Sequence, residues 1–268
     1  MAMSTIPPIR LGGLGKMGGA MLGGWRERGL APSVAIDPLL PASPGPEVTV
    51  ITGPAQIPAG FAPAAVVLAV KPQQAGDALP PLARYAGSAV MLSIMAGKTI
   101  AGLRGLLGDR AAIVRSMPNT PAAVRQGMTV ACAAPGVTAD QRALCDTLLT
   151  SIGTVAWVDD EDLLDPVTAV SGGGPAYVFL LAELLEHAAI EQGVPADLAR
   201  VMARQTVAGS GALLAATTEH PALLRRNVTS PAGTTERALA VLMADDAWPS
   251  AISRAIADAT ARSRELAG

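Results

Sequence analysis

Short apolar runs of strand length recur through the first 158 residues, and between them apolar positions space out at helical intervals. Residues 9–12 form such a run with one arginine inside it, and Met17, Ala20, Met21 and Trp25 then mark one face of a helix. Further strands are predicted at residues 34–36, 64–70, 89–93, 112–116, 127–133 and 154–158. Thr138 and Gln141 form a capping box for a helix running to about Leu149. Strands alternating with helices predict an α/β fold with a doubly wound parallel sheet. From Leu163 onward no strand pattern returns, and helices are expected over residues 176–192, 198–214, 222–227, 238–242 and 251–266. The acidic run 159–162 reads as a solvated boundary, which places one domain at 1–160 and an all-α domain at 161–268.

The helix over 176–192 is apolar nearly all round and must be buried on most sides. About a hundred residues of small helices cannot enclose it together with the Ala- and Val-rich segment 198–214, so this half is expected to pack against its own copy in a homodimer. Composition agrees, with 50% hydrophobic and only 16% charged residues in 268. A net charge of -2 without a basic run argues against nucleic acid as a partner. The apolar stretches are broken by proline or flanked by charge short of a membrane span, and the first ten residues lack a basic segment followed by an apolar run; no membrane partner is expected. Cys132 and Cys145 suggest neither a disulfide framework nor a metal cluster, so a cytoplasmic location and no metal are expected.

Candidate chemistry begins after the first strand. Gly13, Gly15 and Gly18 fit the GxGxxG spacing: the first would make the turn, the second would let a pyrophosphate approach the backbone, and the third would let helix and strand pack closely. Asp37, nineteen positions after Gly18, stands where an acid can accept from a ribose 2′-hydroxyl, although it can equally cap a turn before Pro38. The run 64–70 delivers Val70, Lys71 and Pro72 to a strand end, and the next strands deliver Ala96 and Gly97 in MAGKTI and Asn119 and Thr120 in MPNTPAAV. Each taken singly can be a plain surface lysine or turn; together at strand ends they line one crevice.

In the second half Asn227 through Leu239, NVTSPAGTTERAL, sets small and hydroxylated residues before an apolar-periodic helix. Pro231 and Gly233 are expected to shape the turn and Thr234 and Thr235 to occupy the first helical positions, so that free N–H groups converge on a small anion such as a carboxylate. Ser171 opens a second small-residue block, SGGGPAY. His187 falls mid-helix and His220 precedes Pro221, so neither reads as catalytic. Reducing a carbonyl calls for a proton donor, whereas a protonated cyclic imine accepts hydride without one.

The motifs GGLGKMGGAM, LAVKPQ, SIMAGKTI, RSMPNTPAAVRQGMT, AVSGGGPAYVF, NVTSPAGTTERAL and ARSREL resemble those of the pyrroline-5-carboxylate reductase family across nearly the whole chain. The resemblance implies an N-terminal Rossmann domain, a helical C-terminal dimerisation domain, dimers often assembled into larger rings, and a site where one subunit's cofactor meets its partner's helical domain. It implies NADPH or NADH as cofactor, held by Gly13, Leu14, Gly15, Lys16, Met17, Asp37, Val70, Lys71, Pro72, Ala96, Gly97, Asn119 and Thr120. Thr235 corresponds to the threonine that bonds the ring nitrogen, and Ser230, Gly233 and Thr234, with Ser171, to substrate-binding positions. Lys16 stands where asparagine is common, and Asp37 where NADPH-preferring members carry Ser, Arg or Asn. A β-hydroxyacid-type dehydrogenase of similar architecture should carry a lysine in the first long helix of its second domain, and residues 176–192 contain none. A non-catalytic dinucleotide sensor would be expected to lose the TSPAGTT block, which is intact.

Overall fold

The structure, a computed structural model, describes residues 6–39 and 43–267; the first half of the ten N-terminal residues weighed above for a leader lies outside them. The chain divides into two compact units: one runs up to Gly172 and takes back the last stretch from Ala259, and the other is Gly173–Asp258. Packing thus parts at Gly172, whereas the expected junction at 160 rests on the acidic run 159–162; α5 (below) accounts for the difference by packing its Leu164 into the core of the sheet.

In the first unit eight strands form one sheet: β1 (Ile9–Gly12), β2 (Ser33–Ile36), β3 (Val48–Ile51), β4 (Ala65–Leu68), β5 (Val90–Ser93), β6 (Ala112–Pro118), β7 (Gly127–Ala133) and β8 (Gly153–Val158). Their order is β3-β2-β1-β4-β5-β6-β7-β8. All neighbours are parallel except β6 and β7. The connection between those two is a short 3-10 turn, Thr120–Val124, too short for the crossover that parallel pairing requires. Chain direction across the sheet reverses between β1 and β4, the point at which open α/β sheets leave a crevice at their carboxyl ends. Strand β3 is not among the predicted strands, since it is four residues long and only partly buried; Val48-Thr49-Val50-Ile51 was the available signal.

Helices α1 (Lys16–Glu27), α2 (Ala75–Ala78), α3 (Ile100–Leu107), α4 (Ala139–Thr150) and α5 (Leu164–Val167) flank the sheet. The core lies on both faces. Met21, Leu22 and Trp25 of α1 meet Leu148 and Leu149 of α4 over Leu11, Val67 and Leu92. Leu79, Leu82 and Leu103 cover Val66, Leu68, Met91 and Ile113 on the other side. Trp25 Nε1 donates to the Leu148 carbonyl at 2.9 Å, so the ring is buried with its polar atom satisfied. The predicted capping box of α4 is formed, with Gln141 N donating to Thr138 Oγ1 at 3.2 Å and Thr138 N to Gln141 Oε1 at 3.0 Å. Both cysteines are free and buried, and burial, seconded by Asp146, pushes the Cys145 thiol up to about 12.

The second unit holds α6 (Gly174–Glu191), α7 (Ala196–Ala215), α8 (Pro221–Asn227), α9 (Thr234–Leu242) and the first part of α10 (Trp248–Ala267), which continues into the first unit. Helices α6 and α7 pack on each other, with Arg200 Nε donating to Glu186 Oε1 at 3.1 Å. Among the described residues the only core hydrophobics of this unit within one chain are Ala199 and Ala203, while Phe179 is 67% exposed and Leu213 68%. An apolar surface of that extent signals an interface. One stretch, Glu161–Glu191, is long and apolar enough by composition to cross a membrane; exposed apolar residues on α7 as well make a helix-pair face the simpler account.

Candidate functional site

The turn after β1 has the geometry its glycines predict. Gly13 has φ +96°, in the left-handed region, and a Cβ there would stand 2.6 Å from the Ala69 carbonyl oxygen. Gly18 is buried in α1, where a Cβ would lie 2.1 Å from the Gly13 carbonyl oxygen, so helix and turn touch backbone to backbone. Gly15, the N-cap residue of α1, is exposed, and a Cβ on it would meet nothing within 4 Å. The space over Gly15 is thus open at the start of a twelve-residue helix whose first N–H groups lack intrahelical partners. That is the shape a pyrophosphate requires.

Other predicted cofactor residues fall on the same edge of the sheet. Asp37 follows β2, Val70, Lys71 and Pro72 follow β4, Ala96 and Gly97 follow β5, and Asn119 and Thr120 follow β6. Asp37 Oδ2 accepts from Leu14 N at 2.8 Å and Oδ1 from Leu39 N at 2.9 Å. The carboxylate therefore braces the glycine turn, and each oxygen keeps a lone pair for a further donor. Asn119 Oδ1 accepts from Met128 N at 2.8 Å, while Nδ2 donates to the Ser171 carbonyl at 3.2 Å and to Ser171 Oγ at 3.3 Å. Structure thus brings Asn119 and Ser171 together, a contact 52 residues apart in sequence that no local pattern announces. Ser171 lies in a π-turn, Thr168–Gly172, within the first unit.

Glu161 was expected to belong to a solvated acidic boundary, and the structure corrects this. Its Oε1 accepts from Arg115 Nη1 at 2.7 Å and from Ile100 N, at the start of α3, at 2.8 Å. The carboxylate thereby ties β6 to the loop carrying Ala96 and Gly97. The far end of α10 covers the same loop: a Cβ on Gly97, whose φ is +68°, would stand 3.0 Å from the Leu266 carbonyl oxygen, and Ser263 Oγ donates to Asp165 Oδ1 at 2.7 Å to hold that helix end. Arg115 is buried and its Nε and Nη2 have no partner, so Glu161 is the acid that balances it. Glu161→Gln is expected to cost about 2 kcal/mol, below the ~3–5 kcal/mol of breaking a fully buried pair because the glutamate is part-exposed. Chemical denaturation measures it, and an unchanged midpoint would remove this anchor.

The loop ahead of α9 belongs to the second unit and is exposed from Ser230 to Ala232. Gly233 was expected to help make the turn, but its φ is -83°; Ala232 takes the left-handed conformation, at φ 56°. A left-handed alanine costs about 1 kcal/mol and needs support. It has it: Ala232 N donates to Glu236 Oε2 at 2.8 Å, and Gly233 N to the Ser230 carbonyl at 3.0 Å. Gly233 is needed for closeness instead, since a Cβ would stand 3.0 Å from the Ser230 carbonyl oxygen. The first intrahelical bond of α9 runs from Arg237 N to Gly233 O, which leaves the N–H groups of Thr234, Thr235 and Glu236 ahead of it undonated beside two exposed hydroxyls. His220 Nδ1 accepts from Ala222 N at 3.2 Å as the cap of α8. No group of three metal-ligating side chains occurs among the described residues.

A strand–glycine turn–helix at the reversal point of a parallel sheet, joined in one chain to a second, all-helical unit, is the framework of a nicotinamide-dependent oxidoreductase. The chain belongs to the pyrroline-5-carboxylate reductase family. The family model for pyrroline-5-carboxylate reductase dimerisation matches residues 161–266. A pyrroline-5-carboxylate reductase of Pseudomonas aeruginosa is 37% identical over 99% of this chain and 98% of its own. The solved pyrroline-5-carboxylate reductase of Coxiella burnetii superposes with a TM-score of 0.88 at 31% identity, covering 98% of this chain and all of its own, which bears out the Rossmann-plus-helical fold expected from sequence. A pyrroline carboxylate reductase of Plasmodium falciparum with NADP bound gives a TM-score of 0.82 at 26% identity over 98% of each chain.

Proposed function

We propose that this protein reduces the C=N bond of L-1-pyrroline-5-carboxylate to give L-proline. The observation that carries the reading is the start of α9, where three undonated N–H groups and the hydroxyls of Thr234 and Thr235 stand exposed in a chain of this family. NADH or NADPH fits the first unit: the open cradle over Gly15, the left-handed Gly13 and the strand-end residues Val70 to Pro72, Ala96, Gly97, Asn119 and Thr120 would hold it. When bound, the reduced nicotinamide supplies the hydride.

The chain's own residues do the rest. The N–H groups at Thr234 and Thr235, with Ser230 beside a loop kept tight by Gly233, bind the substrate carboxylate, and the positive end of α9 favours that charge. The Thr235 hydroxyl accepts from the ring N–H of the protonated imine and keeps the ring in one orientation. No general acid is required, because the nitrogen already carries the proton that the amine product keeps. Ser171, whose hydroxyl oxygen accepts from Asn119 Nδ2, lines the substrate region. Two copies joined through α6 and α7 form the working homodimer, dimers assemble further into a ring, and the enzyme works in the cytoplasm, where free buried thiols such as Cys132 and Cys145 persist.

Thr235→Ala is expected to lower kcat/KM by roughly 5- to 150-fold, the effect of one lost hydrogen bond to a charged group at about 1–3 kcal/mol. Thr235→Ser should recover most of it. Reduced-nicotinamide consumption with pyrroline-5-carboxylate, beside a 2-keto acid control, measures both; turnover of the keto acid alone would replace this reading with a hydroxyacid dehydrogenase.

A further inference from the structure

Arg10 is the one charged residue of β1, and in the sequence it stands as no more than an interruption in an apolar run. It is only 4% exposed, and its Nε and Nη1 have no hydrogen-bond partner. Burial lowers its pKa to about 10, with Tyr85 acting to raise it and Arg84 to lower it, so the side chain remains a cation at neutral pH. Among the described residues no carboxylate forms an ion pair with it.

The guanidinium lies along the strand toward its carboxyl end. Nη1 is 3.4 Å from the point where a Cβ of Gly12 would stand, and Val70 Cγ1 is 3.8 Å from that same point. The cation therefore sits beneath the place where β1 and β4 part, and the absence of a side chain on Gly12 leaves it room. On the other flank Asp37 caps the same turn through Leu14 N. A buried, unpaired guanidinium is costly unless something of opposite charge answers it. Arg84, which also acts on it, is a second cation and offers no compensation.

We propose that Arg10 is a buried phosphate anchor, a cation under the Gly13–Met17 turn that answers a phosphate of the bound dinucleotide. The proposal rests on reading that turn as the dinucleotide site. Two phosphates could be answered: the diphosphate common to both cofactors, and the 2′-phosphate carried by NADPH alone.

The test is calorimetric titration of the full chain with ADP and with 2′,5′-ADP, without imino acid, for the parent, Arg10→Met and Arg10→Lys. Arg10→Met is expected to weaken binding about tenfold or more, as removal of a desolvated charge partner does, while Arg10→Lys stays within about threefold. Loss shared by both nucleotides assigns the 5′-phosphate that both carry, loss confined to ADP assigns the second phosphate of the diphosphate, and loss confined to 2′,5′-ADP assigns the 2′-phosphate. The melting temperature of the ligand-free protein should hold or rise in Arg10→Met, since an unanswered charge has been removed, whereas a purely structural arginine would lower it. Should Arg10→Met not fold, Arg10→Gln, neutral and polar, takes its place. Binding of both nucleotides within threefold of the parent by the neutral variant overturns the proposal, as does equal loss in the lysine and neutral variants. A parent chain that binds neither nucleotide sinks the dinucleotide reading itself, and reductase turnover by the parent with intact binding in the neutral variant sinks only the role of Arg10.

Discussion

Gly15→Ala is expected to fold like the parent chain and bind dinucleotide at least about tenfold more weakly, while Gly18→Ala is expected to damage the fold itself. The two glycines lie three residues apart, yet they meet different surroundings. A methyl group on Gly15 encounters no protein atom within 4 Å and so costs the folded state little. It projects into the open space over the start of α1, where a pyrophosphate must come within hydrogen-bonding distance of backbone N–H groups, and a hydrogen bond prevented from forming there costs about 1.4 kcal/mol or more. A methyl on Gly18 lands 2.1 Å from the Gly13 carbonyl oxygen, a clash that no rotamer relieves because both atoms belong to the main chain. Either α1 lifts from β1 or the turn opens, and overpacking of this kind costs about 3 kcal/mol. Thermal melts and nucleotide titrations separate the two effects. If Gly15→Ala bound ADP as the parent does, the turn would not be the dinucleotide cradle.

Phe179→Asp is expected to convert the dimer into a monomer. Phe179 is 67% exposed on α6 in a single chain, and Val201 and Leu213 on α7 are 64% and 68% exposed, so the substitution removes nothing from the chain's own core. Across a twofold interface each copy loses the burial of a phenylalanine, about 2–3 kcal/mol apiece, and gains a carboxylate that must be desolvated. The sum raises the dissociation constant by about three orders of magnitude or more. Light scattering on the eluting species at micromolar concentration reads the outcome, with far-ultraviolet circular dichroism to show that the helices persist. Val201→Asp, on the neighbouring helix, should behave alike. A dimer that survives both changes would place the interface elsewhere and leave the apolar face of α6 and α7 unexplained. The parent chain in the same experiment reports whether dimers assemble further.

What the residue pattern carried and what it missed divide along a physical line. Strands β4 to β8 and the long helices show in hydrophobic period because each buries one face or the whole of a short run, and burial acts residue by residue. The cap of α4 and the glycine turn show because their hydrogen bonds and φ angles are settled within three or four positions. Strand β3 did not show, being short and half-exposed, and was visible only once β2 offered it a ladder. Glu161 looked like one acid among four, and its bonds to Arg115 and Ile100 span 46 and 61 residues. Within the α9 loop, the left-handed residue proved to be Ala232 in place of Gly233, since the Glu236 carboxylate holds the Ala232 N–H and makes the strained alanine tolerable.

By itself, then, the chain's order of residues determined the class of fold, the glycine turn after β1, the helical second half with its unsatisfied apolar face, and the family to which the protein belongs. Only the tertiary structure decided that Asp37 braces the turn through Leu14, that Asn119 is fixed by Ser171, and that the Arg10 cation lies unpaired beneath Gly12. The reason is range. Period, capping and turn conformation are properties of neighbours along the chain, whereas the partner of a charge or an amide depends on which strands end side by side.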